Sequence, residues 1–154
     1  MIFSTVNKIP AFVLEKLDIL FRLLKERKVE YETFAGNVND KQLKRTVLTL
    51  AQETNQYAME LSSQIEIMSG KKNKEENNDD TVIMPGRTLM ISGENDILKS
   101  CEISEKRMIV AYRSVLNEPF LHDNLRKLIR CQLNGLTYAF MQLKLLNTSL
   151  HIYS

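Results

Sequence analysis

One carboxylate in this chain stands where its neighbours call for an apolar side chain. Leu98, Cys101, Glu105, Met108, Tyr112 and Val115 recur at intervals of 3, 4, 3, 4 and 3 residues. That spacing marks one face of an α-helix, so Glu105 is directed toward an interior. An ionised carboxylate there is costly unless a hydrogen bond, a cation or a metal ion meets it. A second carboxylate, Glu53, lies beside Thr54 on the stripe Leu43, Val47, Leu50, Thr54, Tyr57, Leu61, Ile65 and Met68. It borders the same interior, and the two glutamates are the candidate ligands of iron or another divalent metal.

A dinuclear carboxylate centre in a helical bundle needs more than this pair. Two helices each supply a Glu, and the other two each supply Glu-x-x-His. The glutamates bridge and charge-balance the metals, and the histidines complete the shell. Here the single-Glu positions read Leu24 and Glu105. The paired positions read Glu53-Thr54-Asn55-Gln56 and Asn134-Gly135-Leu136-Thr137. No histidine is present among them; His122 stands beside a turn and His151 near the C-terminus. Neither a di-iron centre nor ferroxidase turnover is expected. Two readings of Glu105 stay open. It is an internal carboxylate bonded to Tyr31, Tyr57, Tyr112, Tyr138 or a basic side chain, or it joins Glu53 and water in a weak metal site.

Other chemistry has little support. The five glycines are scattered, so there is no phosphate-binding loop. Cys101 and Cys131 fall mid-helix at heights about 10 Å apart at 1.5 Å per residue. That is too far for a disulfide, so two reduced, packed thiols are expected. No catalytic residue and no cofactor is assigned.

Four helices must position these groups, at about 10–36, 40–68, 95–117 and 121–150. Pro10 suits a helix start, Gly36-Asn37 stops the first helix, and Asp40 reads as the N-cap of the second. Ser69-Gly70 ends that helix, and Pro119 marks the last turn. The whole chain, 1–154, reads as one all-α domain. Short turns make helices one and two, and three and four, antiparallel hairpins. The connection over about 69–94 opens with a polar run, Lys71 to Asp80. It continues through Val82 to Ile91, expected to fold partly back onto the bundle and weakly suggestive of a membrane surface. About 25 residues at roughly 3.3 Å each reach on the order of 80 Å, and a 28-residue helix is only about 42 Å long. The connection is therefore expected to cross from end to end and set helix three parallel to helix two. Both turns are placed at one end, with Leu24, Glu53, Glu105 and Asn134 at one level about 20 Å away. A faint repeat links the hairpins: Tyr31 and Tyr57 are 26 residues apart, as are Tyr112 and Tyr138.

The bulk composition narrows the partners. The 154 residues carry 21 basic and 19 acidic side chains, which argues against nucleic acid. No apolar run has the length of a membrane span, and residues 1–10 lack the features of a signal peptide. A cytoplasmic protein without stable membrane insertion is expected. Helix four has two apolar stripes. Leu125, Leu128, Leu136, Ala139, Leu143 and Leu146 face inward. Ile129, Leu133, Leu136, Phe140 and Leu143 form the second, more than one bundle core consumes, which predicts a homodimer through helix four.

Tyr31-Glu32 before the turn, Ala51-Gln52-Glu53, Tyr57-Ala58-Met59-Glu60-Leu61, the run Ile97 to Glu105, Ala111-Tyr112, Leu116 and Gln132-Leu133 carry a family resemblance. The chain resembles the bacterial ferritin-like family of unknown function with a PA2169-type (DUF2383-like) domain. The resemblance implies a ferritin-like four-helix bundle in which Glu53 and Glu105 are remnants of an ancestral ligand set, a degenerate di-iron site. Members typically have a histidine late in helix four, where this chain has Tyr138-Ala139-Phe140. The expected function is therefore a non-enzymatic bundle protein, structural or protein-binding. The alternative is a metal-binding or ferroxidase-like protein using Glu53 and Glu105.

Overall fold

The computed structural model describes residues 9–70 and 94–152. They form four helices: α1 Ala11–Gly36, α2 Lys41–Ser69, α3 Glu94–Leu116 and α4 Asp123–Ile152. The fold is all-α, and the boundaries fall within two residues of those expected. Local chemistry explains the ends. Asp40 caps α2 by accepting a hydrogen bond from the Leu43 backbone N–H at 2.8 Å. Gly70 closes α2 at φ 73°, where a side chain would be strained. Arg126 closes the second turn: its guanidinium donates to the carbonyl of Leu116, to that of Glu118 at 2.9 Å and to that of Leu121 at 3.1 Å.

Side-chain pairs fix the helix directions. Lys16, early in α1, meets Glu118 just past the end of α3, Nζ to Oε2 2.5 Å. Arg27, further along α1, meets Cys101 and Ser104 near the start of α3. Those helices are therefore antiparallel. Lys25 bonds Asn55 across α1 and α2. Tyr112 bonds Gln132, and Lys144 lies 3.8 Å from Glu102, across α3 and α4. α1 and α4 each pack on both α2 and α3, so α2 and α3 are diagonal and run parallel.

The end of α2 and the start of α3 thus lie at opposite ends of the bundle, as the crossover layout requires. The same directions correct the placement of the turns, which sit at opposite ends rather than together. Mid-helix levels still coincide, because the helices have 26, 29, 23 and 30 residues. The expectation for Val82 to Ile91 lies outside the described residues.

The apolar core comes in two halves. One gathers Leu17, Phe21, Leu24, Ala58, Met108 and Leu136; the other gathers Tyr31, Phe34, Val47, Ala51, Cys101 and Phe140. Every helix passes from one half to the other at mid-height, between Leu24 and Tyr31, Ala51 and Ala58, Cys101 and Met108, and Leu136 and Phe140. Arg27, Thr54 and Glu105 occupy those gaps. Ile129, Leu136, Phe140 and Leu143 are buried in the two halves. The second stripe of α4 is therefore consumed by the core and is not a free face. The outward residues of that helix are others, among them Tyr138, Met141 and Leu145.

Candidate functional site: the polar layer at mid-bundle

The layer centres on a buried cation, Arg27 of α1. Arg27 continues the inward series Leu17, Leu20, Leu24 at a spacing of three and precedes Tyr31 by four. It is only 1 % exposed. Its Nη1 donates to the Cys101 carbonyl at 2.5 Å and to Ser104 Oγ at 3.0 Å. The guanidinium carbon stands 4.9 Å from the Tyr31 ring centroid and 4.7 Å from that of Phe140. The plane of charge is thus flanked by two aromatic rings. Glu30 Oε1 is 3.6 Å from Nη1 and accepts a hydrogen bond from Ser104 Oγ at 2.6 Å. Nε and Nη2 of Arg27 are buried with no hydrogen-bond partner among the described residues.

Glu105 borders this cluster and is part-exposed. Burial pushes its carboxyl pKa up; the Arg27 and Lys144 charges oppose that shift and Glu102 adds to it. The largest opposing charge is the arginine on α1, and among the described residues no tyrosine hydrogen-bonds to Glu105. Burial also pushes the Tyr31 hydroxyl up to about 12 and the Cys101 thiol up to about 12, with Arg27 opposing both. Neither titrates at neutral pH.

Glu53 stands apart. It is exposed on α2, diagonal to α3, while Thr54 takes the buried position and bonds the Leu50 carbonyl at 2.8 Å. Among the described residues no group of three or more His, Cys, Asp or Glu side chains is placed to hold a metal ion. Cys101 is buried, but Cys131 is exposed, so only one of the two free thiols is packed in the core. The tyrosine repeat holds for its first members alone: Tyr31 and Tyr112 are buried, Tyr57 is half-buried and Tyr138 is exposed.

A second polar network lies nearer the α3–α4 turn. Tyr112 Oη donates to Gln132 Oε1 at 2.8 Å. The Gln132 amide donates to the Tyr57 carbonyl and to Glu60 Oε1, both at 3.1 Å. Glu60 therefore serves this network rather than facing solvent alone. Burial raises the Tyr112 hydroxyl pKa. Gly135 lets α4 approach Tyr57 closely, since a Cβ there would sit 2.3 Å from Tyr57 Oη. The phenol thus fills space beside the position where helix four would supply a metal ligand.

Arg27 was legible in the sequence. The same 3–4 rhythm that exposes Glu105 has a gap between Leu24 and Tyr31, and Arg27 fills it. Glu30 follows Arg27 by three residues on the same helix, a spacing that itself brings the two together; only the fold brings Ser104 to the guanidinium.

The geometry defines a class first: an all-α four-helix bundle with parallel diagonal helices and a charged layer across its middle. The chain belongs to the family described as a domain of unknown function (DUF2383), which matches residues 13–118, more than half of the chain. That span covers α1 from Val13, all of α2 and α3, and ends before α4. No curated protein and no solved structure matches the chain. No helix among the described residues is long and apolar enough to cross a membrane.

Proposed function

We propose that this protein is a ferritin-like, non-enzymatic bundle of the cytoplasm, structural or protein-binding in role, whose degenerate carboxylate site holds an internal arginine instead of a metal ion. One observation carries this reading: the Arg27 guanidinium sits buried at mid-bundle, between the apolar halves and beside Glu30 and Glu105. A metal centre there would need that volume and those carboxylates. The metal-binding or ferroxidase alternative would need Glu53 and Glu105 to converge, and Glu53 is exposed on the diagonal helix.

The test is anaerobic titration with Fe²⁺ or Co²⁺, with metal analysis of the desalted protein, on wild type and Arg27→Ala. Wild type is expected to retain no stoichiometric metal. Arg27→Ala vacates the guanidinium and leaves Glu30 and Glu105 uncompensated, so divalent metal is expected to raise its Tm more than that of wild type. Two irons bound per wild-type chain, with oxidation faster than in buffer, would refute the proposal.

A further inference from the structure

The outward face of α4 has a heptad pattern. Cys131, Asn134, Tyr138, Met141, Leu145 and Thr148 recur at intervals of 3, 4, 3, 4 and 3, and all six are exposed. Tyr138 and Leu145 are 60 % and 61 % exposed. None of the six is charged, and the other exposed residues of this stretch, Gln142 and Ser149, are neutral as well. Lys144 turns aside, 3.8 Å from Glu102 and over the Phe140 ring. Exposed apolar residues on the other helices are interleaved with charge, as in Ile103, Lys106, Arg107, Val110 on α3. Scattered apolar residues of that kind are ordinary surface. Here Cys131, Tyr138, Met141 and Leu145 are apolar or aromatic, only Asn134 and Thr148 are polar, and the 3.5-residue period is that of helix-pairing faces.

We propose that this seam docks on the same seam of a second copy, with the two α4 helices antiparallel. The inference deepens the protein-binding reading by naming the partner, but it rests on the α4 face and not on the Arg27 cluster. Charge selects both occupant and direction. A neutral seam meets its own copy without repulsion. Lys127 and Arg130 lie at one end of it, and Thr148 and Ser149 at the other. Parallel pairing would set Lys127 against Lys127 of the other copy. Antiparallel pairing sets the cationic end against the neutral one and opposes the helix dipoles. Matching the two kinds of seam position puts Tyr138 against Met141, twice, at the centre. These are sulfur–aromatic contacts that suit both side chains. Asn134 then meets Leu145, and Cys131 meets Thr148.

Area sets the strength. From Cys131 to Thr148 the seam is about 26 Å long. With its flanks it covers on the order of 400 Å² per copy, about half of a standard interface. The dimer is therefore weak and exchanging, with a dissociation constant on the order of micromolar or above.

Sedimentation of the full chain over a range of concentrations tests this. Wild type is expected to pass from monomer to dimer. Tyr138→Lys and Leu145→Lys are expected to abolish the dimer while leaving Tm unchanged, because both residues lie outside the core. Under diamide, which takes up the two electrons and two protons of a thiol pair, Thr148→Cys is expected to give a covalent dimer through Cys131. Cys131→Ser in that background is expected to prevent it. A monomer at every concentration, a dimer indifferent to Tyr138→Lys, or a wild-type dimer linked Cys131 to Cys131 would overturn the proposal. Each of those outcomes leaves the metal titration untouched, and metal uptake by wild type leaves the seam untouched.

Discussion

Replacing Gly135 by alanine sets two effects of opposite sign against each other. Glycine inside a helix costs about 1 kcal/mol relative to alanine, through backbone entropy. On that ground alone Gly135→Ala stabilises α4. The new Cβ, however, would sit 2.3 Å from Tyr57 Oη, 3.2 Å from Cζ and 3.7 Å from Cε2. Ordinary contact begins near 3.4 Å, so the hydroxyl must retreat by about 1 Å, and overpacking of this kind costs about 1–3 kcal/mol. The phenol is half-buried, which favours the lower part of that range. The net expectation is a loss of at most about 1 kcal/mol. Tyr57→Phe removes the 2.3 Å contact and leaves one at 3.2 Å, which a few tenths of an ångström relieve. In that background Gly135→Ala should be neutral or stabilising. Urea unfolding of the two single variants, the double variant and wild type completes the cycle. A coupling energy of about 1 kcal/mol or more is expected. If the coupling falls within about 0.3–0.5 kcal/mol of zero, as for independent sites, the hydroxyl moves at no cost and the close approach does not hold the helices.

Glu105→Gln should be neutral or stabilising at pH 7, by less than about 1 kcal/mol because the site is part-exposed. Its carboxyl pKa is raised, so the native state holds the proton more tightly than the unfolded chain. Wild type therefore loses stability as pH rises from the ordinary carboxyl value to the raised one. Melts across pH should show the advantage of Gln above that window and none below it, and the opposite trend would refute the sign. Thiol labelling at neutral pH should modify Cys131 and spare Cys101, whose burial hides the thiol and pushes its pKa up to about 12, until denaturant releases the second thiol. Arg126→Ala should cost about 1–3 kcal/mol in urea unfolding, since three turn carbonyls lose their donor.

The fold was legible because helical period and turn chemistry agree along the chain. Asp40 and Gly70 cap where they should, and two short turns leave one long connection. The level of the candidate site was legible too, since Glu105 breaks an apolar stripe. A basic partner for Glu105 was among the open readings, but stripe spacing alone does not say which cation it is; Arg27 lies on the inward face, and the rings of Tyr31 and Phe140 flank it. Glu53 shows the limit of stripe analysis: one residue of offset beside Thr54 was enough to turn it out to solvent. The α4 stripes failed differently. Both were real, but a four-helix core with two centres used them both, and the unused face lay on residues of mixed character.

Charge balance supports an arginine rather than a metal at the centre of the bundle. A dinuclear site gathers four carboxylates because two divalent ions bring four positive charges. The cluster here sets Glu30, Glu102 and Glu105 against Arg27 and Lys144, three carboxylates against two cations, so only one negative charge is left over. A divalent ion entering it would turn that balance into a net positive charge, in a region where desolvation already raises a carboxyl pKa. The guanidinium also differs in kind from a metal. It is planar, fixed by a covalent chain and bordered by Tyr31 and Phe140. It offers no exchangeable coordination position to oxygen or to a substrate. A buried arginine with two nitrogens unpartnered among the described residues is poor at stabilising a fold, because part of its desolvation goes unrecovered. What it supplies is register. Its contacts reach Ser104 and the Cys101 carbonyl on α3 and Phe140 on α4, and sliding α3 or α4 by one turn would strand the charge among apolar side chains.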